Sequence, residues 1–329
     1  MKAILLGLES VPHVEVLRAK LETSWELNAI EHHDLGAFLD QFATADALVS
    51  VRFDEHCPPM PMLKLLQAAS TGVNSIRFDL VPAQVSICNS YGHEIAVAEY
   101  TVLGMLACAH NIVKLQDEFV RGAWSWGEIA VHPTHSEVFG KTVCIIGLGR
   151  IGRETAKRAK ALGMHVIGCN RTTERQIPDV DEMADLSNIA DRAAQADFVV
   201  VACALTDETR HIVDRRVLGA MKNSAFILNV GRGLLINERD LYDALVTRQI
   251  GGAVLDAWYR YPTRENPTPP PSDLPFYRLD NVILTPHISG WTGGMVDRRW
   301  SDIARNLDSL ALGRAFFNVV RPGRPAVPA

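Results

Sequence analysis

An α/β fold built on a doubly wound parallel sheet is what this sequence predicts, and three observations carry the prediction. Short apolar runs alternate with longer amphipathic stretches, the sign of parallel strands covered by helices. Six strand-like runs separated by helical connections lie between residues 141 and 286, enough for one complete doubly wound unit. The segment VCIIGLGRIGRETAK sets Gly147, Gly149 and Gly152 between a β-branched strand and a helix. A length of 329 residues leaves room for a second domain.

Taken in order, MKAILLGLES carries one Lys and a short apolar stretch broken at Glu9, which reads as a first buried strand rather than a signal peptide. Strands are expected at 3–7, 47–51, 64–69 and 86–88. SYGHEIAVAEYTVLGMLACAHNIVKLQDEF then predicts one helix of about 28 residues, longer than the usual ~10–14, and so a crossover between domains or an arm reaching a second subunit. From Lys141 come strand TVCIIG, helix RIGRETAKRAKALG, strands MHVIGCN, DFVVVACAL and AFILNV, helix INERDLYDALVTRQ, and strands GAVLDAW and NVILTP. Six of the seventeen prolines fall between 262 and 275, so that stretch is expected to be an irregular loop. The tail VVRPGRPAVPA is expected to be irregular beyond its first residues.

Composition narrows the function. Thirty-three Lys and Arg against thirty-eight Asp and Glu give −5 with no block of like charge, which argues against a nucleic-acid or membrane partner. No apolar run reaches the ~18–20 residues of a membrane span. The six cysteines (Cys57, Cys88, Cys108, Cys144, Cys169, Cys203) form no CxxC pair and several lie in strand-like runs, so reduced buried thiols, a cytoplasmic location and no metal site are expected.

In the glycine loop, Gly147 permits a tight turn, Gly149 lets backbone approach a pyrophosphate, and Gly152 lets the helix pack on the strand. The second strand ends GCNRTTER, with Asn170 where an acid would accept from the ribose hydroxyls of NAD. Loss of that carboxylate removes repulsion of a 2′-phosphate, and Arg171, followed by Thr172, supplies a charged partner, which favours NADP over NAD. A solvated Arg171 stacked on adenine would serve either cofactor. Further on, Arg232 between two glycines after an apolar strand offers a fork for a carboxylate, and His287 after Pro286 at another strand end suits a general acid.

With these residues in place, the sequence resembles the D-isomer-specific 2-hydroxyacid dehydrogenase family, and is glyoxylate/hydroxypyruvate reductase-like. The resemblance rests on VAEYTVLGML, GKTVCIIGLGRIGRETAKRAKALGMHVIG, LTDETRHIVD, LNVGRGLLINERDLYDAL, GAVLDAW and NVILTPHISG, in matching order. It implies a Rossmann cofactor domain, 93–288, inserted into a smaller flavodoxin-like substrate domain, 1–92 with 289–329, the active site lying in the cleft. It also implies a homodimer through the helix and arm at about 94–137, and no further C-terminal regulatory domain. By the same resemblance Arg232 would hold the substrate carboxylate and carbonyl, and His287 would protonate the carbonyl oxygen of a small 2-ketoacid. Asp256 would bind the nicotinamide carboxamide, Arg150 and Ile151 would meet the pyrophosphate, and Cys203, Ala204, Thr209 and Val230 would line the cofactor. Arg52, Gly72 and Val73 become candidates for the substrate carboxylate, Arg52 being equally readable as a surface ion-pair residue. Trp291 either narrows the pocket or is domain-interface core.

One departure stands out. The family's Glu that orients the catalytic His falls, in register, on Tyr261, and the nearest loop acids are Glu265 and Asp273. Two competing readings follow: a dinucleotide-sensing regulatory protein with a degraded site, and a dehydrogenase of a non-carboxylic anion such as phosphite. Retention of Arg232 and His287 argues against decay.

Overall fold

The computed structural model describes residues 1–7, 10–124, 134–173, 176–263 and 266–324. Expectations that fall on Glu265, on residues 125–133 of the arm, or on 325–329 of the tail therefore lie outside the described residues. The chain divides into two compact units, residues 1–93 with 292–329, and residues 94–291.

The first unit carries strands β1 (Lys2–Leu6), β2 (Glu26–Ile30), β3 (Ala47–Ser50), β4 (Leu65–Ala68) and β5 (Ser86–Cys88), parallel in the order β2-β1-β3-β4-β5. This is the flavodoxin order. Successive side chains leave opposite faces of each strand. Ile4, Leu6, Leu48, Leu66 and Ile87 thus pack with Phe42 on one side. Ala3, Leu5, Val49 and Leu65 pack on the other against Trp300, Ile303 and Leu307 of the helix Gly293–Ala311. The first residues of the tail are ordered: Val319–Arg321 pairs antiparallel with β5. The Arg321 guanidinium donates to the carbonyls of Phe78, Val81, Pro82 and Val85, and so closes that edge.

The second unit holds β6 (Thr142–Ile146), β7 (His165–Asn170), β8 (Glu182–Asp185), β9 (Phe198–Val201), β10 (Phe226–Asn229), β11 (Gly252–Leu255) and β12 (Val282–Leu284). They form one parallel sheet in the order β12-β11-β10-β9-β6-β7-β8, with β13 (Val319–Arg321) belonging to the first unit. The sheet has seven strands where six are expected. The extra one, β8, is an edge strand in which Ala184 alone is buried, so it carries no apolar run to read. The chain leaves β6 toward β7 and β8, then returns to the opposite side at β9, which places the topological switch point between β6 and β9.

The single long helix is a correction. Glu94–Ala109 and Ile112–Val120 are separate helices bent by 60°, with Asn111 at φ 53° between them. Asn tolerates the left-handed region better than most residues. The burial pattern explains the place of the break: the first helix buries Ala96, Val97, Ala98, Thr101, Gly104 and Met105, whereas the second buries nothing. No single helix among the described residues is long and apolar enough to cross a membrane.

Candidate active site

At the end of β6 the backbone turns at Gly147 (φ +97°), where a Cβ would lie 2.5 Å from the Cα of Cys203 across the switch point. At Gly152 a Cβ would lie 2.0 Å from the carbonyl oxygen of Gly147, so the helix Arg150–Ala161 rests directly on the turn. Gly149 differs, since a Cβ there meets no protein atom within 4 Å. Open space above a helix N-terminus that has no side-chain cap is the cradle a pyrophosphate fills. The residues present therefore fit a dinucleotide. Arg150 opens the helix and pairs with Glu94 at 3.6 Å, and Ile151 is half-buried.

Around this cradle β7 ends at Asn170, whose side-chain amide donates to the Thr172 carbonyl at 3.3 Å, with Arg171 and Thr172 exposed beside it. Glu208, in the loop after β9, has its carboxyl held below the usual range first by the Thr206 hydroxyl and, more weakly, by Arg171. In that loop Ala204 is exposed and Cys203 is half-buried, its thiol pushed up to about 11 by burial. Thr209 is buried, and its hydroxyl donates to the Ala204 carbonyl and accepts from the Thr206 amide, so it shapes the loop. Val230 is buried at the end of β10. The cysteines are free, but Cys57, Cys108 and Cys203 are only half-buried.

The ends of β10, β11 and β12 carry the acid–base candidates. Asn229, 1 % exposed, accepts from the Gly231 amide and donates to the Arg232 carbonyl, which fixes the loop NVGRG. The glycines flanking Arg232 serve packing rather than ligand approach. A Cβ at Gly233 would sit 2.2 Å from the Trp258 carbonyl oxygen, and one at Gly231 would sit 2.7 Å from Leu235. Arg232 itself is exposed and donates one hydrogen bond to the Gly231 carbonyl.

The Tyr261 phenol oxygen lies 2.7 Å from His287 Nδ1. The Trp258 amide donates to that oxygen at 3.1 Å. The phenol proton is thereby left for Nδ1 of a neutral ring, and its second lone pair for Nδ1–H of a protonated one. Burial pushes the Tyr261 hydroxyl above its ordinary value, so it brings no charge to the imidazole. His287 keeps part of its surface open, yet desolvation holds it below 6.5, opposed by Asp256 and reinforced by Arg232. Asp273 does not replace the missing acid: its carboxylate pairs with Arg260.

Asp256 is 1 % exposed. It accepts from the Thr285 hydroxyl at 2.6 Å and from the amides of Ile288 and Ser289 at 2.8 and 3.0 Å. The Tyr100 hydroxyl lies 2.6 Å from Thr285 Oγ1, whose own proton goes to Asp256, so the phenol donates. Asp256 thus braces the loop that carries the imidazole, a role its motif does not announce. Sequence reasoning also missed Thr285, Tyr100, Trp258 and Asn229. Asn229 alone left a signal, a polar residue closing an apolar strand. Trp291 is 56 % exposed.

In the first unit, Arg52 is exposed after β3 and sits 3.8 Å from Asp54, the surface ion pair. Gly72 is exposed and Val73 half-buried in the loop after β4. That loop is tied down by Ser70, which donates to the Gly72 carbonyl, and by Asn89, which donates to that of Thr71.

A parallel sheet with an open glycine cradle at its switch point defines a nicotinamide-dinucleotide-binding protein, with an exposed Arg and a Tyr–His pair at the neighbouring strand ends. The chain belongs to the D-isomer specific 2-hydroxyacid dehydrogenase family, whose NAD-binding-domain model matches residues 102–289. It is 30% identical over 348 aligned positions to a glyoxylate reductase from Thermococcus onnurineus, covering 98% of this chain and 99% of that one. It is 34% identical over 268 positions to D-3-phosphoglycerate dehydrogenase from Methanocaldococcus jannaschii, covering 81% of this chain, and spans about half that relative's length, 48%. A solved NADPH-dependent glyoxylate/hydroxypyruvate reductase from Sinorhizobium meliloti superposes with a TM-score of 0.80 over 98% of this chain and 99% of that one. At 20% identity that likeness is one of fold.

Proposed function

We propose that this protein is an NAD(P)-dependent 2-hydroxyacid dehydrogenase that works chiefly as a reductase of a small 2-ketoacid. The observation that carries the proposal is the Tyr261–His287 contact of 2.7 Å, beside Arg232, on a sheet whose switch point cradles a dinucleotide. The bound nicotinamide supplies the hydride in reduction and accepts it in oxidation. Arg232 holds the substrate carboxylate through its exposed guanidinium. In reduction His287, as imidazolium, gives a proton from Nε2 to the carbonyl oxygen, while Tyr261 keeps Nδ1 fixed. A regulatory protein with a decayed site has no need of an oriented imidazole, and the intact pair speaks against that reading.

NADP is the favoured cofactor. Asn170 offers no carboxylate to repel a 2′-phosphate, and Arg171 is exposed beside it. We also read the protein as a homodimer, with Ile112, Val113, Phe119, Val120 and Trp124 forming an exposed apolar surface that a second subunit would cover.

The test is a steady-state assay of glyoxylate, hydroxypyruvate and larger 2-ketoacids with NADPH and NADH, on wild type, His287→Gln and Arg232→Ala. Loss of ~10²–10⁴ in kcat for His287→Gln is expected, and failure to reduce any ketoacid would refute the proposal. A charge-assisted contact at Arg171 is worth about 1.5–3 kcal/mol, or roughly ten- to a hundredfold in kcat/KM for NADPH over NADH. Arg171→Ala should erase most of that preference. Equal efficiency of the two cofactors in wild type would remove the NADP assignment.

A further inference from the structure

The turn that presents His287 is held from one short segment after β11. His287 lies in the left-handed region at φ 57°, uncommon for a non-glycine residue, so something must keep it there. Within the turn its amide donates to the Thr285 carbonyl at 3.0 Å. Asp256 accepts from the amides that follow, but a carboxylate has no proton to offer the carbonyl that precedes them. That carbonyl receives a second donor, the indole Nε1–H of Trp258, at 2.8 Å. Among the described residues the indole is the donor that ties this carbonyl to the sheet. The backbone amide of the same residue donates to the phenol of Tyr261. Trp258 therefore grips both halves of the pair, the base of the His287 turn through its side chain and the phenol through its main chain. It is 8 % exposed, and its ring meets Phe276 edge-on at 6.4 Å between centroids, so the indole has little room to swing away.

We propose that Trp258 is a positioning residue for proton transfer, its indole N–H fixing the Thr285 carbonyl so that His287 keeps Nδ1 on Tyr261 and Nε2 toward the substrate. This rests on His287 being the acid. A Trp that merely filled the core would be replaced by Phe at little cost to the reaction, whereas a Trp that positions the turn needs its N–H.

Trp258→Phe in the full-length protein, assayed with NADPH and glyoxylate, separates the two. We expect kcat to fall about 10- to 100-fold, the scale of a small misplacement of a reacting group, with KM for NADPH within about twofold of wild type. On a Tyr261→Phe background, where the pair is already broken, the same substitution should cost less than about threefold, because residues acting through one network are not additive. Wild-type kcat in Trp258→Phe, a loss confined to KM, or an equal loss on both backgrounds would each overturn the proposal. Should Trp258→Phe fail to fold, benzothienylalanine at 258, isosteric with sulfur in place of N–H, is held to the same expectations. His287→Gln with full activity would refute the acid assignment and this inference with it. An inactive His287→Gln beside an unaffected Trp258→Phe would sink this inference alone.

Discussion

His287 needs its proton to serve as the acid in reduction, and its surroundings work against keeping that proton. Desolvation lowers its pKa below 6.5, Arg232 lowers it further, and Asp256 offsets only part of the fall. Tyr261 at Nδ1 fixes the ring but adds no negative charge. The imidazolium fraction, and with it reductive kcat/KM, should therefore fall as pH rises through a value below 6.5. Oxidation uses the neutral ring and should hold its rate to a lower pH than in an enzyme with a carboxylate partner. Tyr261→Glu places that carboxylate at Nδ1 and should move the basic limb of the reductive profile upward by about one unit or more, the scale of an adjacent opposite charge. A wild-type profile flat to pH 8 would contradict this account of His287. Tyr261 was legible in the sequence by register alone. The hydrogen bond it makes was not, because nothing in YRYP tells which side of the strand end the phenol reaches.

Among the elements, the glycine loop was the most legible, since each of its constraints acts over a few residues. Its three glycines nonetheless do different work, which gives a paired prediction. Gly152→Ala puts a methyl 2.0 Å from the Gly147 carbonyl, so either the helix or the turn must shift. Overpacking of this kind costs about 1–3 kcal/mol or more, and a clear drop in Tm is expected. Gly149→Ala meets no protein atom, and its φ of −71° suits any residue, so Tm should stay within a degree or two of wild type. The same methyl stands where the pyrophosphate would lie, and KM for NADPH should rise at least tenfold. Thermal unfolding beside cofactor titration tests both, and a Gly149→Ala protein that binds NADPH normally would displace the cradle from this turn. The less legible elements share a cause. His110 and Asn111 interrupt the apolar run, but two polar residues also fit the solvent face of one longer helix, so the pattern does not register that burial ends there and frees the chain to bend. Strands β2 and β8 lie at sheet edges with few buried residues, where the apolar signal is weakest. The three donors that Asp256 accepts, from Thr285, Ile288 and Ser289, are likewise invisible in the sequence, because they come from a turn some thirty residues further on.

At the scale of the whole molecule, the two units differ in how they depend on the rest of the chain. Residues 94–291 are contiguous, and both faces of their sheet are covered from within the segment. Residues 1–93 are not self-sufficient, because one face of their sheet is covered by Trp300, Ile303, Ala304 and Leu307 of the helix Gly293–Ala311. That helix is locked in place by polar groups as well. Asn306, fully buried, donates to Gln67 of β4 at 2.6 Å and to the Phe317 carbonyl at 3.0 Å, and accepts from the Phe317 amide at 2.7 Å. Asp308 accepts from the amides of Glu22 and Thr23. Three large apolar side chains, Trp300, Ile303 and Leu307, are worth about 1.5–3 kcal/mol each when buried, so loss of the helix removes roughly 5–9 kcal/mol. A domain's whole stability is about 5–15 kcal/mol, so the fragment should not survive the loss. The expected outcome is that 94–291 expressed alone unfolds cooperatively and still quenches on NADPH titration, whereas 1–93 alone shows no cooperative transition and regains one when mixed with 292–329. Asn306→Ala in the intact chain should lower the stability of the first unit by about 1–3 kcal/mol, because Gln67 and the Phe317 amide lose their buried partner. Cooperative folding of 1–93 without the C-terminal segment would show that the helix decorates this unit rather than completes it.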